Sequence, residues 1–113
     1  MDTLFILKPG SENPAYPGKI FYCWHCALIE GIMASFPQLG SNLAVRRIEW
    51  PKPRTEVIQL AGEQNQSVPL LVLSEGASSR YQTGSYGGRV LIAEKDALLA
   101  ALTERHGFPE TYP

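Results

Sequence analysis

The chain has 113 residues, 44% of them apolar and 19% charged, with a formal net charge of −1; this is ordinary for a single globular domain, residues 1–113, with one core. A charge so near zero gives no broad field to attract nucleic acid or anionic membrane, and no apolar window approaches the length of a membrane span. Met1-Asp2-Thr3 carries an acid where a secretory signal carries basic residues, and the apolar run behind it is short, so the sequence reads as cytoplasmic.

Taken in chain order, Thr3-Leu4-Phe5-Ile6-Leu7 is β-branched and apolar and predicts a buried strand. A long loop follows from Pro9 to Tyr22, punctuated by Gly10, Pro14, Pro17 and Gly18. Apolar residues at 28, 29, 32, 33 and 36 have helical spacing, and Pro37 stops that helix. Leu43 to Trp50 predicts a second strand, in which Arg46 and Arg47 indicate a sheet edge. After Pro51-Lys52-Pro53, Arg54 to Gly62 predicts a short helix with Val57, Ile58, Leu60 and Ala61 inward.

Val68-Pro69-Leu70-Leu71-Val72-Leu73 reads as a central strand buried on both faces. Ser74 to Gly88 is long for a connection between strands; its glycines and serines imply mobility, so that it either orders on a partner through Arg80, Tyr81 and Tyr86 or is a tolerated surface insertion. Arg89 to Ala93 is a fourth strand. A last helix from about Lys95 to Arg105 turns Leu98, Leu99 and Leu102 inward, with Gly107 just past its end. The order is βαβα followed by ββα.

Cys23-Trp24-His25-Cys26 sits where the first loop gives way to the first helix. Two thiols three positions apart share one face of a helical turn, so a small disulfide ring can close and reopen with little backbone movement. At the helix start, unpaired amides and the positive end of the macrodipole favour a thiolate. In a compartment that keeps thiols reduced, a lone pair of cysteines is better explained by catalysis or sensing than by a permanent staple. Two other readings stand beside this one. A structural zinc needs four ligands, and the chain offers these cysteines with His25 and His106 only. An inert buried pair would pack as small hydrophobes.

The element order, the Cys-x-x-Cys at the start of the first helix and the Val68-Pro69 opening the third strand resemble the thioredoxin-fold superfamily, in the compact form of glutaredoxins and glutathione-transferase N-terminal domains. The overall sequence is also similar to an uncharacterised bacterial thioredoxin-like family. The resemblance implies an α/β, thioredoxin-like fold with a four-stranded mixed sheet flanked by helices. It further implies a cis Val68-Pro69 bond facing the cysteines, with the Val68 backbone free to pair with substrate. His25 before the second cysteine resembles the Cys-Pro-His-Cys centre of disulfide donors, where the histidine helps hold the first sulfur as an anion. Trp24-His25 departs from the Gly-Pro of thioredoxin itself, and Tyr22 stands where thioredoxin has Trp. Trp24 is expected exposed at the rim.

Near the C-terminus, Arg89 to Gly107 looks like the end of a transferase N-terminal domain, whose acid–serine pair receives glutathione; Glu94 matches the acid and Lys95 replaces the serine. Acids in a first helical turn also complement the macrodipole and cap amides, so Glu94 has a purely structural reading as well. The expected activity is thiol–disulfide exchange with Cys23 as nucleophile and Cys26 resolving, assisted by His25. Tyr22, Trp24, Val68, Pro69, Glu94 and Lys95 are the expected substrate contacts. The substrate would be a disulfide-containing protein or glutathione, and no metal or cofactor is expected beyond glutathione as co-substrate. The alternatives are a non-catalytic binding or regulatory module on the same scaffold, and a metal or iron–sulfur carrier acting through Cys23.

Overall fold

The computed structural model describes residues 1–113. In chain order the elements are β1 (Asp2–Leu7), β2 (Ser11–Glu12), β3 (Ile20–Phe21), α1 (Trp24–Ser35), a 3-10 turn (Pro37–Gly40), β4 (Leu43–Ile48) and α2 (Thr55–Ala61). They continue as β5 (Leu70–Val72), β6 (Gly84–Tyr86), β7 (Arg89–Ile92) and α3 (Lys95–His106). One mixed sheet runs β4-β1-β5-β7-β6, and β2 and β3 form a separate hairpin. β1 is parallel to β4, reached by the crossover through α1, and antiparallel to β5; β7 is antiparallel to both β5 and β6.

Side chains alternate along each strand, and both faces of this sheet are covered. Leu4 and Ile6 of β1, Leu71 of β5 and Ile92 of β7 pack with Cys26 and Ile29 of α1 and with Leu98 and Leu102 of α3. Phe5, Leu70, Val72 and Leu91 face the other way, onto Val57 and Ala61 of α2. Burial on two sides is why β5 reads as an unbroken apolar run rather than an alternating one. Each fully buried Leu, Ile or Phe contributes about 1.5–3 kcal/mol. Truncating Leu71 to Ala at the sheet centre would cost about 2–5 kcal/mol.

The central expectations hold, with four corrections. The main sheet has five strands, not four, because residues 84–86 add β6 outside β7. β4 lies at the edge as its arginines indicate, but stops at Ile48 rather than Trp50. Its last partner is Leu7; one residue on, Lys8 still donates to the Ile48 carbonyl at 2.9 Å, and the next N–H on that side, Gly10's, goes to the Phe21 carbonyl instead. The Pro9–Tyr22 loop contains the β2–β3 hairpin.

The segment from 74 to 88 is not a loose arm. Tyr86 lies against Gly62 just past α2, where an added Cβ would come within 2.7 Å of its ring. Arg80 stacks on Tyr81 and pairs with Glu104, and Ser79 donates to the same carboxylate at 2.9 Å. Val68-Pro69 is cis, as is Lys52-Pro53, which nothing in the sequence marked. No helix is long and apolar enough to cross a membrane.

One buried polar knot was also invisible in the sequence. Asp2, 2% exposed, accepts from Arg105 Nε at 2.7 Å, Arg105 Nη2 at 2.9 Å and the Ser74 amide at 2.9 Å. His106 Nε2 lies 2.9 Å from the same carboxylate. Burial alone would raise the Asp2 pKa; the Arg105 hydrogen bonds, the Ser74 amide, His106 and the Arg105 charge outweigh it and hold the carboxyl well below the usual range. The start of β1, the exit of β5 and the end of α3 are thereby tied together.

Candidate functional site

Cys23 is the N-cap of α1. Its backbone is extended, φ −78° and ψ 115°, and its sulfur accepts the Cys26 N–H at 3.2 Å, satisfying one of the amides a helix start leaves unpaired. Cys26 lies one turn further in, 2% exposed, packed in the core with Leu4, Ile29 and Leu71. Its sulfur accepts the Leu7 N–H at 3.4 Å. Burial first, and then its hydrogen bond and charge interaction with Cys23, push the Cys26 thiol up to about 12, against the pull of the Leu7 amide. Both cysteines are free thiols. One sulfur is therefore half-exposed at a helix terminus and the other is sealed and held protonated.

The sheet brings the remaining expected residues to the same end. Continuing the Phe5↔Leu70 register sets Val68 alongside Leu7, whose amide holds Cys26, and continuing Leu71↔Ile92 sets Pro69 alongside Glu94. The end of β1, the entry to β5, the end of β7 and the N-termini of α1 and α3 thus share one rim. Trp24 is 70% exposed, as expected of a rim aromatic, and Tyr22, just before Cys23, is 68% exposed. The His25 ring lies against Trp24, centroids 4.3 Å apart and planes tilted by 39°, and forms no hydrogen bond to either sulfur. Glu94 is the N-cap of α3, accepting the Ala97 N–H at 2.8 Å, and Lys95 pairs with Asp96 at 3.1 Å. Both are engaged within their own helix, which is the structural reading of that pair.

Arg54 is the member of this rim that the sequence did not reveal. Its guanidinium donates to the Trp50 carbonyl from Nε at 3.0 Å and Nη2 at 2.7 Å, and to the Gln66 carbonyl from Nη1 at 2.8 Å. It bridges the turn after β4 to the segment that delivers Val68-Pro69. Burial lowers its pKa, while the charges of Cys26 and Cys23 act to raise it, which places Arg54 within electrostatic reach of both sulfurs. A signal was present: Arg54 occupies the N-cap of α2, where a cation opposes the macrodipole and Asp or Ser is the usual choice.

Beside Cys23, a groove of about 330 Å³ is lined by Leu7, Pro9, Tyr22, Cys26, Ala27 and Glu30. Glu30 is held by both Nε and Nη2 of Arg47, each at 2.7 Å. On the Val68 side a hollow of about 490 Å³ is bounded by Trp50, Lys52, Arg54 and Ser67. A separate hollow of about 440 Å³ between α3 and residues 108–111 contains neither cysteine. No three His, Cys, Asp or Glu side chains gather into a metal-binding group.

No curated protein and no solved structure matches the chain. A family model described as "Protein of unknown function (DUF3088)" matches residues 1–110, nearly the whole length. The chain, with its asymmetric pair of sulfurs at the start of α1, belongs to the DUF3088 family.

Proposed function

We propose that this protein is a thiol–disulfide oxidoreductase on a thioredoxin-like scaffold, with Cys23 the nucleophile and Cys26 the resolving thiol. The observation that carries the reading is the asymmetry of the two sulfurs: Cys23 accepts an amide at the helix start, and Cys26 is buried with its pKa pushed up to about 12. The scaffold part rests on the chain order β1-α1-β4-α2-β5-β7-α3, which reproduces βαβα–ββα with helices on both faces of a mixed sheet.

In the reaction, the Cys23 thiolate attacks one sulfur of a substrate disulfide. That bond breaks, and its electron pair leaves with the other sulfur, which takes a proton from water. Part of what holds Cys26 protonated comes from Cys23 itself. Once Cys23 is locked in the mixed disulfide, its charge and its hydrogen bond to Cys26 are gone, and Cys26 yields its proton to solvent more readily. The Cys26 sulfur then attacks Cys23 and expels the second substrate thiolate. The substrate has gained two electrons and one proton, its second sulfur leaving as a thiolate just as Cys23 entered as one, and the protein has lost them in forming the Cys23–Cys26 disulfide. A thiol reductant, glutathione or a dithiol, returns the electrons. The cytoplasm supplies such reductants and is the proposed location.

Reduction of hydroxyethyl disulfide by the purified protein with glutathione as electron source tests this. Cys23→Ser should abolish turnover, and Cys26→Ser should accumulate a Cys23 mixed disulfide visible by mass. Undiminished activity in Cys23→Ser, or no intramolecular disulfide on oxidation, would overturn the proposal.

A further inference from the structure

Of the nine large apolar side chains the protein leaves exposed, six lie between residues 16 and 28, around Cys23: Tyr16, Ile20, Phe21, Tyr22, Trp24 and Leu28. Scattered exposed hydrophobics need no explanation, but six of nine falling within thirteen residues of the chain, with Phe21 and Tyr22 lining hollows beside Cys23, mark a candidate interaction site. This set is also held in shape. The β2–β3 hairpin pairs Ser11 with Phe21 and Glu12 with Ile20, and the Gly10 N–H donates to the Phe21 carbonyl at 3.1 Å. The Asn13 side chain accepts the Ala15 N–H at 3.0 Å, and Tyr16 meets Phe21 edge to face with centroids 5.6 Å apart. A surface ordered before binding loses less entropy when it is covered.

The hollows on either side of Cys23 indicate what covers it. Besides the 330 Å³ groove along α1, a hollow of about 200 Å³ opens between Cys23 and the hairpin, reaching Glu12, Phe21 and Trp50. Neither is lined by Lys or Arg, and the charged side chains at their walls, Glu30 and Glu12, are both acids. Glutathione disulfide carries four carboxylates and only two ammonium groups, and in these two hollows it meets acids; the cations of the rim, Lys52 and Arg54, lie in the Val68-side hollow, where Arg54 is already engaged with the Trp50 and Gln66 carbonyls. An uncharged, apolar stretch of polypeptide finds matching surface on both sides of the sulfur that would bind it covalently.

We infer that the collar of residues 16–28, built on the β2–β3 hairpin, docks apolar polypeptide flanking a cystine, so that the substrate class of this site is protein disulfides with apolar surroundings rather than glutathione disulfide. The inference rests on the thiol–disulfide reading of Cys23 and deepens it.

Three substrates test it: a cystine-bridged peptide with Leu and Phe flanks, the same peptide with Ser and Glu flanks, and hydroxyethyl disulfide as a reporter of the bare chemistry. The apolar peptide should be preferred over the polar one at least ~10-fold in kcat/KM, and an Ile20→Ser, Trp24→Ser double variant should lose that preference, the effect of removing two apolar contacts. Equal rates on the two peptides, or a preference the double variant keeps, would overturn the inference while leaving the chemistry standing. Silence towards all three, hydroxyethyl disulfide included, would sink the redox reading instead. In that case the apolar peptide with its cysteines replaced by serine, titrated by calorimetry, decides the docking surface: saturable binding lost in the double variant supports it, and no binding overturns it. Self-association in sedimentation that disappears in the same variant would also overturn it, since a second copy would then be the occupant.

Discussion

Alkylation of the reduced protein at pH 8 probes the asymmetry on which the proposed chemistry depends. The Cys26 thiol is pushed from the ordinary 9.0 up to about 12, burial being the largest cause. At pH 8 about one in ten ordinary thiols is ionised, against about one in ten thousand for Cys26, so its thiolate is scarcer by about 1000-fold. The more basic anion is the better nucleophile, and a Brønsted slope of about 0.4–0.5 returns about 15- to 30-fold of that. Cys26 should thus react about 30- to 60-fold slower than an ordinary thiol from ionisation alone, and its 2% exposure slows it further. The assay is a timed iodoacetamide pulse, with each label located by fragmenting the tryptic 20–46 peptide, and the same chain unfolded in urea as the reference. Cys23 should carry nearly all early label. If Cys26 in the folded protein reacts within ~5-fold of its rate in urea, it is neither sealed nor held protonated, and the assigned order of attack fails.

Three further outcomes follow from the geometry. Asp2→Asn leaves Arg105 without its charge partner and should cost about 2–4 kcal/mol at pH 7, somewhat below the figure for a fully buried pair because Arg105 is partly exposed. Because the folded carboxyl titrates below its ordinary 3.8, the wild-type gain is present above that pH and is lost as pH falls through and below it; the variant should show a flatter acid limb in urea midpoints from pH 7 to 2. Gly62→Ala meets both a backbone at φ +85° and the Tyr86 ring 2.7 Å from the new Cβ, so about 2–4 kcal/mol should be lost, of which adding Tyr86→Ala relieves only the contact part; full recovery in the double variant would refute the backbone component. Arg54→Met abandons the Trp50 and Gln66 carbonyls and should cost about 1.5–3 kcal/mol, with a raised KM for disulfide substrates; an unchanged denaturation midpoint would show that the bridge carries no weight.

Local chemistry made much of the site legible. Cys23 precedes a run with helical spacing, so its place at a helix start could be read from the chain, and Trp24 could be placed at a rim because the core positions of α1 begin further along, at Cys26 and Ile29. Glu94 carried two readings, and its Oε2 accepts the Ala97 N–H as the capping one expects. His25 had a sulfur assigned to it by resemblance, and its ring lies tilted against Trp24. The direction a side chain takes from a tight turn depends on neighbours that sequence spacing does not name.

The sequence by itself determined the order of β1, α1, β4, α2, β5, β7 and α3, the two-sided burial of β5, the edge position of β4 and the cysteines at the head of α1. These follow from apolar periodicity, proline and glycine punctuation and helix-end preferences, all of which act within a few residues. Only the tertiary structure decided that Asp2 meets Arg105 across the length of the chain, that Arg54 turns back onto two carbonyls instead of capping its helix, and that Tyr86 seals onto Gly62 and adds a fifth strand. Those contacts are specific pairings between segments far apart in sequence, and a buried charge or a close backbone approach leaves no periodic trace in either partner alone.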